Sequence, residues 1–155
     1  MIRKPDKELF QDMVAFYSQI YELTPLAAKV YVYLMFDLCR EGITFDELLE
    51  TFKVSKSSLS GSIQTLVHNK HIEYVTSMDS RKRLFRTNPN YTSIRFGEVL
   101  DTLTKEKELM VKFTDFKKGS MCDNKITTTK LKEYQEILDQ HIKTITTTLN
   151  QLKKK

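Results

Sequence analysis

Two helix-start signals stand close together near the middle of the chain, and they constrain the fold more than any other feature. Thr44 and Glu47 have the spacing of a capping box, in which the two side chains satisfy backbone amides at a helix start. Ser55, after a turn at residues 53–54, can cap a second helix. The pattern therefore predicts two short helices joined by a tight turn.

The segment after the second helix predicts a two-stranded hairpin. The runs IEYVTSM and LFRTN are rich in β-branched and aromatic residues, and they flank the polar stretch DSRKR before Pro89. Four cationic side chains cluster around the tip, at Arg81, Lys82, Arg83 and Arg86. The alternatives for this basic tip are contact with DNA and a solvated hairpin end that discourages strand pairing between molecules.

Helical patterns precede this region. Asp6 can cap a first helix, and Thr24 with Pro25 begins a second one, which should end at Gly42. Apolar residues recur at helical spacing on the first helix, at Leu9, Met13, Phe16, Tyr17 and Ile20. The second helix carries two apolar stripes, which predict that it is packed on most of its circumference. One stripe consists of Val30, Tyr31, Leu34 and Leu38, and the other of Val32, Met35 and Cys39.

Two further helices are expected, at residues 91–116 and 126–152, with a turn between them. The first should bury Val99, Leu100, Leu103, Met110 and Phe113, and the second carries apolar residues close to a heptad seam, including Leu131 and Leu152. Little else in the chain can cover this seam and the apolar face of the first helix. We therefore expect a second copy of the chain to cover both in a homodimer. The expected dimerisation residues are Leu9, Met13, Leu138, Ile142, Ile145 and Leu149.

Charge is segregated along the 155 residues, whose net charge is +5. Residues 1–54 carry six Lys and Arg against nine Asp and Glu, a net charge of −3, whereas residues 55–90 carry six against two, a net charge of +4. Such segregation is typical of a chain that binds a polyanion or an acidic partner, and the alternative is simple solubility.

Other function classes find little support in the sequence. No apolar run is long enough to cross a membrane and no signal peptide pattern is present, so we expect a cytoplasmic protein. Cys39 and Cys122 are far apart and form no CxxC motif, and His68, His71 and His141 have no metal-ligand spacing. Without a phosphate loop or a nucleophile elbow, we expect neither an enzyme nor a bound metal or cofactor.

The second helix of the central pair has an unusual outward face. If Leu59, Ile63 and Leu66 point inward, the outward residues are Ser57, Gly61, Gln64 and His68, flanked by Ser58, Ser60 and Thr65. Solvated helix faces normally carry Glu, Lys and Arg, which are better helix formers. Capping explains Ser55 and Ser58, but it does not explain Ser60, Gly61 and Ser62. Small residues at these positions predict that another surface approaches the helix closely.

The stretch from residue 43 to 87 resembles the winged-helix regulators of the multiple-antibiotic-resistance repressor (MarR) class, and more closely their glycine-betaine-regulator-like (GbsR) branch. VSKSSLS at residues 54–60 resembles the start of the recognition helix of that family, and Asp79-Ser80-Arg81 resembles its wing signature. The resemblance covers residues 24–89. One departure is NKH at residues 69–71, where the family commonly has a glycine.

The resemblance implies a mainly α-helical winged helix-turn-helix with a small β-hairpin wing. Residues 24–90 would form the DNA-binding domain, and residues 1–23 and 91–155 a helical dimerisation region. The expected function is a homodimeric repressor that binds a pseudo-palindromic operator in double-stranded DNA. The alternative is a protein-interaction module with an acidic partner. The expected DNA contacts are Lys56, Ser57, Ser58, Ser60, Gly61, Gln64, Thr65, Lys82 and Arg83, with Arg81 in the minor groove.

The resemblance further implies a response to a small-molecule effector bound between the dimerisation helices and the winged domain. The aromatic residues that would line this pocket are Tyr17, Tyr21, Tyr31, Tyr33 and Phe36. The alternative is that these rings are plain core. Cys39 has two interpretations as well, an oxidant sensor or a small buried hydrophobe, of which the second is expected.

Overall fold

The chain divides into two units, Met1–Tyr91 and Thr92–Lys155. The computed structural model describes residues 6–76, 82–118 and 125–152. In chain order the elements are α1 (Lys7–Ile20), α2 (Pro25–Met35), β1 (Ile43–Thr44), α3 (Phe45–Phe52), α4 (Lys56–His68), β2 (Ile72–Thr76), β3 (Arg83–Thr87), α5 (Tyr91–Lys117) and α6 (Lys125–Leu152). The chain is therefore mainly helical with a small antiparallel sheet, as predicted.

The helix starts predicted from capping residues are confirmed. The Asp6 carboxylate accepts the Leu9 amide at 3.0 Å, and the Thr24 hydroxyl accepts the Ala27 amide at 3.3 Å in the first turn of α2. At α3 both halves of the capping box form, because Thr44 Oγ1 accepts the Glu47 amide and the Glu47 carboxylate accepts the Thr44 amide at 2.8 Å. Each cap satisfies amides that have no partner within the helix.

The predicted end of α2 at Gly42 is wrong, since the helix ends at Met35. Asp37 is buried, and its carboxylate accepts the Gly42 amide at 2.7 Å, which turns the chain back on itself. A buried carboxylate needs such a donor, and this requirement outweighs the continuation of the helix. As a result Leu38 and Cys39 are exposed, so their predicted places in the packed stripes of α2 are also wrong.

The sheet has three strands, whereas the sequence predicted two. β2 and β3 form the expected antiparallel hairpin with Tyr74 opposite Phe85, and β1 pairs with the other edge of β3 through Ile43 opposite Phe85. A strand of two residues is too short to show the alternating pattern from which strands are predicted. Residues 77–81 at the tip, including Arg81, lie outside the described residues.

The core of the first unit surrounds α2. Leu59, Ile63 and Leu66 point inward as predicted from their spacing, whereas Val67 is only half-buried. Each fully buried leucine contributes about 1.5–3 kcal/mol through removal of its apolar surface from water. The buried core also includes Ala27, Ala28, Val30, Tyr31, Leu34, Ile43, Leu48, Ile72 and Phe85.

In the second unit, α5 and α6 run antiparallel. Lys107 and Asp139, which are 32 residues apart in the sequence, form an ion pair between the two helices. Gln135 and Thr114 are only 21 residues apart in the sequence, and Gln135 Nε2 donates to Thr114 Oγ1 at 2.9 Å. The shorter separation nearer the connection is what an antiparallel pair requires. A further hydrogen bond joins the same two helices, in which the Tyr134 hydroxyl donates to a Glu106 carboxylate oxygen.

The predicted buried positions of α5 need correction. Thr114 is buried, and Phe113 is 49% exposed. The two residues are about 100° apart on the helix, so the hydrogen bond from Gln135 to Thr114 turns Phe113 away from α6. The other predicted positions are half-buried, at Val99, Leu100, Leu103 and Met110.

Replacement of Gly42 by alanine should destabilise the first unit. Gly42 has a φ of +85°, and a Cβ atom there would lie 2.8 Å from the Leu84 Cβ atom on β3. We expect the free energy of unfolding to fall by about 1–3 kcal/mol, because left-handed strain and the clash with the Leu84 Cβ atom act together. Urea denaturation followed by circular dichroism would measure it, and an unchanged midpoint would contradict this account of the turn.

Candidate nucleic-acid interface

The orientation predicted for α4 is observed. Ser57, Gly61, Gln64 and His68 are exposed, as are Lys56, Ser58 and Thr65, and Ser60 is half-buried. Ser62 is different, because it is buried and belongs to the inward side. The helix therefore presents a continuous face of small and neutral hydrogen-bonding side chains to solvent.

The capping alternative explains the serines of the first turn. Ser55 Oγ accepts the Ser58 amide at 3.2 Å, donates to Ser58 Oγ at 2.8 Å and lies 3.1 Å from Ser57 Oγ. Further along, Thr65 Oγ1 donates to the Gly61 carbonyl at 3.1 Å. Capping thus accounts for the residue types up to Ser58, and it leaves Gly61 and Gln64 unexplained.

Gly61 is the residue of α4 for which the fold offers no reason. It lies in the helix interior, is exposed, and a Cβ atom added to it would meet nothing within 4 Å. Glycine inside a helix costs about 1 kcal/mol relative to alanine. Since neither a turn nor close packing within the chain requires glycine there, its small size favours the approach of an external surface.

The three wing cations among the described residues, Lys82, Arg83 and Arg86, have different environments. Lys82 Nζ lies 3.6 Å from the Asp46 carboxylate at the start of α3. The Arg83 guanidinium lies 4.8 Å from the centroid of the Tyr74 ring, in cation–π geometry. Arg86 forms a 2.8 Å ion pair with Glu73 on the neighbouring strand, so its charge is used inside the sheet rather than at the tip.

A groove of about 800 Å³ lies between α4 and the wing, and we call it the α4–wing groove. It brings together four of the predicted contact residues, Ser60, Gln64, Lys82 and Arg83. The other lining residues are not among the predicted DNA contacts, although His68 was expected on the outward face of α4. They are Thr44, Phe45, Asp46, Ile63, Val67, His68, Tyr74 and Phe85. Lys56, Ser57, Ser58, Gly61 and Thr65 lie on α4 outside its lining.

The electrostatics of α3 are linked to the wing. Hydrogen bonds from the Thr44 hydroxyl and amide hold the pKa of the Glu47 carboxyl below its usual value, and the charge of Lys82 lowers it further. Glu47 is therefore ionised near neutral pH. Together with Asp46 it places negative charge beside the basic wing.

The turn before β2 contains the departure from the resembled family. Lys70 has a φ of +59°, a conformation in which glycine has no penalty. Asn88, just after β3, fixes this turn, since its side-chain amide donates to the Lys70 carbonyl and its backbone amide to the His71 carbonyl, both at 3.0 Å. These two bonds hold the hairpin to the end of α4.

The predicted aromatic pocket residues are divided among separate contacts. Tyr17, Tyr21 and Tyr31 contact one another, with Tyr17 edge-on to Tyr31 at 5.3 Å between centroids. Burial, followed by the neighbouring tyrosines, raises the pKa of the Tyr31 hydroxyl. Tyr33 instead contacts Phe52, and Phe36 contacts Phe10. An effector at this place stays a prediction.

The described residues contain neither a cluster of metal ligands nor a helix suited to span a membrane. Across residues 6–76, 82–118 and 125–152, no group of three or more His, Cys, Asp or Glu side chains is placed to hold a metal ion. Over the same ranges, no helix combines the length and apolar character that a membrane span needs.

The fold of this chain is similar to that of a solved structure described as the crystal structure of a transcriptional regulator. The TM-score is 0.59, the identity is 18%, and the similarity covers 96% of this chain and 97% of that chain. No protein-family model and no curated protein matches the sequence. At this identity the similarity shows a shared fold, and it confirms the predicted winged-helix class.

Replacement of Gly61 by alanine should stabilise the protein, in contrast to Gly42. An exposed helix interior with open space around the new methyl group favours alanine by about 1 kcal/mol. Urea denaturation would measure the gain, and Gly42→Ala provides the comparison with the opposite sign. A loss of stability on Gly61→Ala would show that the chain itself requires this glycine.

Proposed function

We propose that this protein is a transcriptional regulator that binds double-stranded DNA sequence-specifically, as a homodimeric repressor on a pseudo-palindromic operator. The observation that carries the proposal is the exposed Gly61 and Gln64 face of α4, which lies beside a basic wing and has no purpose in the fold. The description of the structural neighbour as a transcriptional regulator supports it. We further propose that the chain belongs to the MarR class, in its GbsR-like branch.

In this proposal α4 enters the major groove. The Gln64 side chain can form paired hydrogen bonds with an adenine edge, and the Ser57 hydroxyl can bond several bases. The absence of a side chain at Gly61 lets the helix axis approach the bases. Lys56 and the amides of the first turn would contact phosphates, as helix starts commonly do.

The wing would contact the sugar-phosphate backbone of the DNA. Lys82 and Arg83 neutralise phosphates, and Lys82 exchanges the Asp46 carboxylate for a phosphate oxygen. Arg81, outside the described residues, is proposed for the minor groove. Arg86 has no such role, because it is paired with Glu73.

Exposed apolar side chains on both units support a homodimer. On α1, Leu9, Phe16 and Ile20 are between 40% and 56% exposed. A second copy would remove this surface from water, at about 25 cal/mol per Å². Met13 is half-buried next to them.

The second unit has its own apolar surface, on a different side from the predicted seam. Leu138 and Leu149 are buried within the single chain, and Ile142 and Ile145 are half-buried. On α5, however, Leu109, Phe113 and Phe116 fall on one helix face and are 50%, 49% and 80% exposed. We propose that the partner contacts this face in addition to the edge of the seam.

DNA binding is tested first. Fluorescent DNA from the upstream region of the gene is compared with unrelated DNA at two salt concentrations, and we expect preferential binding that weakens steeply with salt. Gly61→Leu should reduce affinity at least about tenfold by holding α4 away from the bases. Lys82→Ala should weaken binding to all sequences and lower the salt slope by about 1.

The controls separate these effects from general damage. Lys130→Ala removes an exposed lysine of α6 and should leave the affinity for DNA unchanged. Gly61→Ala keeps the fold and should bind better than Gly61→Leu. If wild-type protein binds neither the upstream fragment nor the unrelated DNA, the proposal fails. An acidic protein partner then becomes the explanation for the exposed face of α4 and the basic wing.

The dimer has a separate test. We expect wild-type protein to sediment at twice the 18.2 kDa chain mass, and Phe113→Asp to shift it toward the monomer, because a charge would be buried without a partner. Thr104→Asp adds the same charge on the opposite face of α5 and should remain dimeric. A monomeric wild type, or a fully dimeric Phe113→Asp variant, would contradict the proposed contact.

A further inference from the structure

We propose that His71 is a proton-sensitive contact that holds the end of α4 and the start of the hairpin to the rest of the first unit, and that its protonation in mild acid opens this contact. The chain has three histidines, of which His71 is buried and His68 and His141 are exposed. The inference does not depend on DNA binding, although it concerns the helix that the proposed function places in the major groove.

The backbone of His71 joins α4 to the hairpin. Its amide donates to the Leu66 carbonyl at 2.9 Å, in the last turns of α4. Its carbonyl accepts the Asn88 amide at 3.0 Å, just after β3. Since His71 lies between α4 and β2, a displacement of its side chain acts on the end of the helix and on the start of the hairpin together.

The His71 ring lies among tyrosine rings that come from other elements of the unit. Tyr21 follows α1, Tyr31 lies on α2 and Tyr91 is the first residue of α5. Their ring centroids lie 4.5, 5.2 and 5.5 Å from the imidazole centroid, in that order. We call these three rings, with His71 and its two backbone partners, the His71 junction. His71 is 6% exposed, so most of its ring is removed from water.

The surroundings of the ring favour the neutral imidazole over the imidazolium. The three tyrosine hydroxyls are uncharged at neutral and acidic pH, and burial further raises the pKa of Tyr31. The end of α4 and the residue after β3 contact His71 through uncharged backbone groups. Full burial can lower the proton affinity of a histidine by about a thousandfold, because the cation loses its hydration.

Cation–π attraction opposes this effect but is smaller. A tyrosine face favours a desolvated cation by about thirtyfold. Tyr21, tilted by 37° to the imidazole, is the nearest to a face-on arrangement, whereas Tyr31 and Tyr91 are tilted by 44° and 51°. Burial therefore determines the protonation state of the closed junction, which is neutral.

The direction of the pH effect follows from the open state. A histidine exposed to water has a pKa of about 6.5, so the open state takes up a proton below this pH while the closed junction resists it. The junction is therefore fully stabilised above about pH 6.5 and loses stability as the pH falls below that value. Between about pH 7.5 and 5.5, the open state should gain up to about tenfold in population relative to the closed state.

Nuclear magnetic resonance of the wild-type protein tests the protonation state directly. The Cε1 protons of the three imidazoles are followed between about pH 8 and 5.5, and the variants His68→Gln and His141→Gln assign their own signals. We expect those two histidines to titrate near pH 6.5, and the His71 signal to stay that of a neutral ring at least about one pH unit lower. A His71 signal that titrates together with the other two would overturn the inference, and this measurement needs no substitution at His71.

Amide hydrogen exchange measures the opening. Protection factors of the His71 and Asn88 amides, corrected for the intrinsic exchange rate, should fall by about five- to tenfold between about pH 7.5 and 5.5. His71→Phe keeps a ring among the tyrosines and removes the titrating nitrogens, so the Asn88 amide should lose this pH dependence. His68→Gln and His141→Gln change exposed histidines and should behave as wild type. An equal pH dependence in wild type and His71→Phe would contradict the proton-sensitive contact.

A DNA arm separates this inference from the proposed function. If the upstream DNA fragment binds, it selects the closed junction, because α4 and the wing are then held together, and a saturating amount should remove the acid-dependent exchange. Exchange that is unaffected by bound DNA would show that the opening does not concern the reading surface. If no DNA binds but the neutral ring and the acid-dependent exchange are observed, the proposed function fails and the His71 junction remains.

Discussion

A single hydrogen bond, from the Gly42 amide to the buried Asp37 carboxylate, determines how the winged unit is assembled. It ends α2 and reverses the chain, so that β1 reaches the edge of β3 and α3 begins immediately after β1. The start of α3 thereby comes to lie beside the wing, where Asp46 meets Lys82. Without this turn the α4–wing groove would lose one of its walls.

Much of the fold could be predicted because its signals are local. A capping side chain and the amides that it satisfies are at most three residues apart, so the starts of α3 and α4 at Thr44 and Ser55 were visible in the sequence. The end of α2 was not, because it depends on a carboxylate that becomes buried only when the unit packs. The same reason applies to Phe113, which is exposed because Thr114 and Gln135 bind each other across two helices.

The candidate site was predictable in part. Periodicity gave the outward face of α4, since the burial of Leu59, Ile63 and Leu66 fixes where Gly61 and Gln64 point. Other features required the tertiary structure. Arg86 is withdrawn from the basic tip by its cross-strand pair with Glu73, and the groove combines residues from α3, α4 and both strands of the hairpin, which no spacing rule connects.

The ion pair between Asp46 and Lys82 has a consequence for how such a protein would search a genome. An exposed pair of this kind contributes about 0.2–1 kcal/mol, so Asp46 acts as an internal counterion that lowers the attraction of Lys82 to any phosphate by a few-fold. This reduction applies equally to every DNA sequence. A DNA-binding protein with this wing would spend less time on bulk DNA, and base contacts from α4 would account for a larger share of its residence at an operator.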